Sequence, residues 1–337
     1  MRAGNWIAIV VIAYAPLFAS SHASADPKPA SAYSVEVIRK PGAIFAGLAR
    51  DGDELLVTDL GNGRLYRRGS KGVFTAFGPT LPHGLDVIGD PTGPYQIARY
   101  GADYLVTQGW TPVGEDEGPY DHAMLEVDNK SVVNVISSDF LNPFDFTISG
   151  DVFYVIDAAR NSVERLAQNG GKTTVFTFAR LSQPEAALKH LSPTEFSNKS
   201  NYEFDAVPTG IVALDDRLYV SLFAGFPFIA GSGRVVSLPR AGETPLARVE
   251  VVDLNAPVDV ATDGDTRLLV LEHGIYDETR GFLPGSGRLL SIDPASGERR
   301  VIVDDLTRPA AVLVFDEHEI VVSQLDGTLV FLTRQAK

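Results

Sequence analysis

The stretch Tyr33-Ser34-Val35-Glu36-Val37-Ile38-Arg39-Lys40 decides how this chain is organised. It matches the outermost strand of a unit that recurs along the sequence, and it leads into the first such unit as Val249–Leu254 leads into Pro257. The unit it would complete stands at the other end. There Pro309–Phe315, Glu319–Gln324 and Gly327–Thr333 supply three strands where the other units have four. Pairing the two ends completes a four-stranded sheet and protects an edge that would otherwise invite association.

The recurring unit is a Pro-led apolar strand, an Asp/Gly turn, an apolar strand, a loop, a strand often carrying Arg, and a β-branched strand. Asn142-Pro143-Phe144-Asp145-Phe146-Thr147-Ile148, Val207-Pro208-Thr209-Gly210-Ile211-Val212 and Ala256-Pro257-Val258-Asp259-Val260 open three of them. Two earlier units fit less cleanly: Ala43–Phe77, and one whose second strand is Tyr104-Leu105-Val106-Thr107. The first strand of the latter is Tyr95–Arg99, in preference to Gly84–Ile88. The period is about 50 residues, the spacing of propeller blades. Short Val/Leu/Tyr-rich strands separated by Gly, Asp and Asn fit that class. The expectation is an all-β, six-bladed β-propeller of four-stranded blades, closed by an N-terminal strand completing the C-terminal blade. An open solenoid is the rival, and would leave both terminal sheets bare. Pro184–Leu191, after a Ser182 cap, is the one helical expectation.

Residues 1–25 read as a signal peptide. Arg2 precedes an apolar run from Ile7 to Ala19, and Ala23-Ser24-Ala25 offers a small-residue cleavage site. The run is short of the roughly 20 residues a bilayer span needs; a retained anchor is the alternative. Residues 26–337 then form one propeller domain, with a long connector over 179–205, and the expected location is periplasmic or secreted. The 337 residues carry a net charge of −14 and no cysteine. The absence of cysteine excludes disulfides and thiolate metal sites. The acidity argues against nucleic acid and anionic membrane surfaces as partners. No membrane insertion is expected after cleavage, and the protein reads as a monomer.

The segments Asp205-Ala206-Val207-Pro208-Thr209-Gly210, Leu218-Tyr219-Val220-Ser221 and Gly225-Phe226-Pro227-Phe228-Ile229-Ala230-Gly231-Ser232-Gly233-Arg234-Val235 resemble the ScyD/ScyE propeller family. The resemblance covers residues 120–330 well and the first two blades poorly. It implies a six-bladed fold of the NHL or TolB-like type. Some members of that family sit in gene clusters for the pigment scytonemin, but the family has no settled activity.

Within a blade the strands alternate in direction. The loop between strands two and three and the connection to the next blade therefore emerge on one face. The long excursions Gly109–His122, Phe223–Ser232, His273–Ser286, Thr80–Pro94 and Ala179–Asp205 all occupy those positions. That face is the candidate functional face. Trp110, Tyr120, Phe226, Phe228, Tyr276 and Phe282 are its candidate ligand-binding residues, for a small molecule or a protein partner. Phe196 and Tyr202 lie on the same face. Mutual packing that merely orders the loops is the competing account, and Phe226-Pro227-Phe228 is the stretch expected to protrude.

No motif demands a cofactor. Asn142, Asp145, Asp259 and Glu272 are the candidate metal ligands, suited to a hard ion such as calcium at the central channel. A divalent-metal-dependent lactonase or esterase of the gluconolactonase type is the enzymatic alternative to a binding protein without chemistry of its own. His122 beside Asp121 and His273 beside Glu272 offer a weaker transition-metal idea. Gly231-Ser232-Gly233-Arg234 and Gly285-Ser286-Gly287-Arg288 precede strands, not the helix a nucleophile elbow needs. Asn129-Lys130-Ser131 and Asn198-Lys199-Ser200 match the glycosylation sequon.

Overall fold

The computed structural model describes residues 26–69, 72–86, 89–184, 201–240, 246–264 and 266–335. The signal-peptide expectation for residues 1–25 lies outside them. Six four-stranded antiparallel sheets form the blades of a β-propeller, and their innermost strands are Phe45–Asp51, Pro94–Tyr100, Pro143–Ser149, Pro208–Leu214, Pro257–Thr262 and Pro309–Val314. Blade two opens at Pro94, and Gly84–Leu85 belongs instead to a two-stranded hairpin with Pro91–Thr92 inside the connection. Ser182 is no helix cap: Leu181–Pro184 is a strand paired with Asn201–Phe204, and the rest of that expected helix lies outside the described residues.

Tyr33–Arg39 closes the ring, pairing antiparallel with Thr328–Arg334 from Tyr33↔Arg334 to Arg39↔Thr328. Lys28–Pro29 adds a fifth strand to the outer edge of blade five, where Lys28 is paired with Asp305 at 2.7 Å. The cores lie between neighbouring sheets. Leu56, Leu65, Tyr104 and Leu125, for example, pack blade one on blade two.

A recurrent hydrogen-bond device ties the inner strands together. In blades one, two and six a buried hydroxyl on the second strand accepts from its own inner strand and donates to the next blade. Thr58 accepts from Gly47 N at 2.7 Å and donates to Tyr95 O at 3.1 Å. Thr107 joins Gln96 N to Phe144 O, and Ser323 joins Ala311 N to Ala46 O across the closure. In blade four Ser221 accepts from Gly210 N, and its neighbour Thr209 donates to Pro257 O. Close approach is the reason for Gly47, since a Cβ there would lie 2.4 Å from Tyr95 O.

Blades three and five carry Ile156 and Leu271 where the others carry the hydroxyl. Their inner strands supply a carboxylate in its place. Asp145 accepts from Phe146 N at 2.7 Å and from Ile211 N of blade four at 2.8 Å. Asp259 accepts from Val260 N and from Val312 N of blade six, both at 2.7 Å. The stitching around the channel is continuous because one chemistry replaces the other.

Candidate functional site: an axial cavity on the long-loop face

All six inner strands start at the same end of the channel, so the residues after the strand-opening prolines form one layer there. They are Tyr95, Phe144, Thr209, Val258 and Ala310, with Ala46 in the equivalent place in blade one. This layer and the one beneath it line a cavity that opens to solvent. Tyr95 and Phe144 stack at 4.8 Å and fill one side, whereas Ala46, Ala310 and Ala311 leave the other side hollow.

Loops of the long-loop face supply the upper wall: Asp86, Asp90 and Pro91 from the connection into blade two, Trp110, Phe223, His273 and Arg308. Several polar atoms here are buried without a partner. They are both carboxylate oxygens of Asp90, the Trp110 indole Nε1, Asn142 Oδ1 and His273 Nε2, on residues that are 5%, 8%, 7% and 3% exposed respectively. An unsatisfied buried polar group costs about 1–3 kcal/mol, so such a cluster is unusual in a wall that only supports a fold.

Electrostatics follows from burial. Desolvation first, then the charge of Asp86, pushes the Asp90 carboxyl up to about 8, against the lowering influence of Arg308. Desolvation also raises Asp259 to about 6, and burial together with Asp259 raises Asp145 well above the carboxylate range. His273 is pushed down to about 3 by burial and then by Arg308. Its Nδ1 lies 2.8 Å from the Pro309 carbonyl. A carbonyl only accepts, so Nδ1 carries the hydrogen and Nε2 presents a lone pair.

The structure distributes the sequence-derived candidates unevenly. Of the six aromatics only Trp110 lines the cavity. Tyr120 packs beside the core between blades one and two. Phe226, Phe228, Tyr276 and Phe282 pack on one another, with the Phe228 ring 5.0 Å from Tyr276 and 5.3 Å from Phe282. Phe228 does not protrude, being 4% exposed. This cluster locks the loops of blades four and five and backs Phe223, which forms the cavity wall. Tyr202 is buried; Phe196 lies outside the described residues.

Asn142, Asp145 and Asp259 do line the cavity, but Glu272 does not. Glu272 accepts from Asn255 N and pairs with Arg288, clamping the connection that enters blade five. Asp157 serves the same end in blade three through Leu141 N and Asn142 N, and Asp59 in blade one through Ile44 N. Both oxygens of Asp145 and of Asp259 already accept backbone N–H groups. Of the four candidates only Asn142 leaves a buried oxygen without a partner. Among the described residues no three His, Asp or Glu side chains come together as a metal site. His122 bonds Leu141 O and lines no part of the cavity that holds His273. Ser232 and Ser286 hold loop turns, through Ile229 O and Leu283 O. Asn129 is engaged by Arg67, and Asn198 lies outside the described residues.

Sequence reading missed Asp90, Tyr95, Phe144, Phe223 and Arg308. For Tyr95 and Phe144 the signal available was the position after each strand-opening proline, a fixed station at the channel mouth; Asp90, Phe223 and Arg308 stand at no such station.

A six-bladed β-propeller with an axial cavity is thus the class the fold and site define. Among solved structures the chain is similar to a gluconolactonase from Xanthomonas campestris, with 12% identity and a TM-score of 0.59 over 92% of this chain and 95% of that one. It is similar to a luciferin-regenerating enzyme at 11% identity and TM-score 0.55, over 89% and 95% of the two chains. Virginiamycin B lyase from Staphylococcus aureus matches at 12% identity and TM-score 0.51, over 89% and 99%. At these identities the likeness establishes the fold alone. No protein-family model matches the sequence, and no curated protein matches it.

Proposed function

We propose that this protein binds a small, largely apolar organic molecule in the axial cavity, without chemistry of its own. The observation that carries the reading is the set of unpartnered buried atoms on Asp90, Trp110, Asn142 and His273 around one hollow. Aromatic and aliphatic walls with a few convergent polar groups are the usual make-up of a ligand site. A ligand offering donors to Asp90, Asn142 and His273, and an acceptor to Trp110, would recover what their burial costs. We further propose that the chain belongs with the ScyD/ScyE propellers and is exported by the leader read in residues 1–25. The hydrolase alternative, suggested by the gluconolactonase among the similar structures, would need an ion to share the oxygens of Asp145 and Asp259 with the backbone N–H groups they accept.

A thermal-shift screen of small organic molecules tests the reading, run on the protein and on Ala310→Trp, which fills the hollow side. Ligands should raise the melting temperature of the first and not of the second. Equal shifts in both would contradict an axial site. Calcium and a lactone panel belong in the same screen, because calcium-dependent hydrolysis would overturn the binding role in favour of the enzyme.

A further inference from the structure

The geometry points to an organic cation as the ligand: a protonated amine on an aromatic or aliphatic body, its charge against Asp90 and its body among Tyr95, Phe144 and Trp110. The inference rests on the cavity being a ligand site, and adds the charge of what enters it.

Charge balance comes first. Four carboxylates line the cavity, those of Asp86, Asp90, Asp145 and Asp259, against one guanidinium, Arg308. Asp145 and Asp259 are occupied by backbone N–H groups, and Asp90 N donates to Asp86 Oδ1 at 3.0 Å. Asp90 alone keeps both oxygens buried and unpartnered at the wall. With a neutral ligand these buried carboxyls keep their protons, an anion would hold them protonated still more firmly, and only a cation favours their ionised form. Arg308 lowers the Asp90 carboxyl, but burial and Asp86 outweigh it and leave the group pushed up to about 8.

The walls separate an organic cation from a metal ion. Tyr95, Phe144, Trp110 and Phe223 present ring surface, which attracts ammonium groups and offers no ligand to a hard metal. Asn142 Oδ1 and His273 Nε2 are acceptors, as an N–H-bearing cation needs. With Nδ1 held by Pro309 O and its pKa near 3, His273 stays neutral and does not repel such a guest.

Binding should displace a proton. Asp86, Asp145, Asp259, Tyr95, His273 and Arg308 are the ionisable groups that line the cavity with Asp90. Asp90, both oxygens unpartnered and its carboxyl pushed up to about 8, holds its proton at pH 7, so a cation beside it favours the carboxylate and sends that proton to the buffer.

The test is calorimetric titration of the protein at pH 7 with 2-phenylethylammonium, 2-phenylethanol, phenylacetate and calcium chloride separately. The amine should bind at least about tenfold more tightly than the alcohol, as expected for a hydrogen bond to a charged group. Phenylacetate and calcium should not bind, and the amine's heat should vary with the buffer's ionisation enthalpy. Asp90→Asn should weaken the amine about tenfold and the alcohol by clearly less, so that the preference for the amine is lost. If that variant fails to fold, Asn142→Asp adds a carboxylate to the same wall and should tighten amine binding. Alcohol binding as tight as the amine, or phenylacetate preferred, would overturn the charge assignment while leaving the cavity a ligand site. Calcium binding in the amine's place would overturn it in favour of a metal. Failure of all four would overturn it too, and the Ala310→Trp screen separately decides whether the cavity binds anything.

Discussion

Asp90 is the residue on which most depends. Its carboxyl titrates near 8 and that of Asp259 near 6, both above the value of about 3.9 for aspartate in an unfolded chain. The folded state therefore binds more protons than the unfolded state across that interval. The resulting stability is full below the unfolded value and is lost as pH rises through each folded pKa. The melting temperature should decline between about pH 5 and pH 9, and Asp90→Asn should flatten the upper half of that decline. Carboxylates such as Asp277, held down to about 2 chiefly by Thr279 and Arg280, act in the opposite direction but only in more acidic solution. A profile unchanged by Asp90→Asn would place the titration elsewhere. None of this was legible in sequence, because an Asp in a Gly/Pro-rich connection reads as a turn residue. Its burial is created by blades that meet only after closure.

Among the elements, the inner strands and their stitching were half legible. The Pro-led repeat fixed which strands are innermost, and the structure opens five of the six at a proline. Read one residue further, the same repeat gives the wall: Tyr95, Phe144, Thr209, Val258 and Ala310. The hydroxyl stitches were also present as Thr58, Thr107, Ser221 and Ser323 at one station of the second strand. Asp145 and Asp259 read as metal ligands in the sequence because carboxylates at the channel are the oxygen donors a hard ion takes. The structural role shows in the inter-blade N–H that one oxygen of each holds, from Ile211 and Val312, which no single blade reveals. Ser323→Ala removes the stitch across the closure and leaves Ala311 N and Ala46 O buried without it. It should cost about 2–4 kcal/mol in urea melts, with the cavity still able to bind. Phe228→Ala should cost about 3–5 kcal/mol, the range for deleting a buried aromatic ring. A loss under about 1 kcal/mol would mean that the ring is a surface group after all.

At the scale of the molecule, closure was the most legible feature, since a three-stranded last unit and an isolated first strand left one economical pairing. The additional pairing of Lys28–Pro29 on blade five was not legible, as two residues carry no period. Removing residues through Lys40 should expose the edge of Thr328–Arg334 and raise the light scattering of the protein through edge-to-edge association. A chain beginning at Asp26 keeps that edge covered and should show no such rise. The ring also explains why the cavity is axial. Six inner strands starting at one end bring loops far apart in sequence, near Asp90, Trp110, His273 and Arg308, to a single mouth. The most direct test is a crystal structure with a ligand found in the thermal-shift screen. The ligand should lie in the axial cavity beside Tyr95 and Phe144, within hydrogen-bond reach of Asp90. Ligand density on the outer strands, or over the Phe226 loop with the cavity empty, would contradict the account.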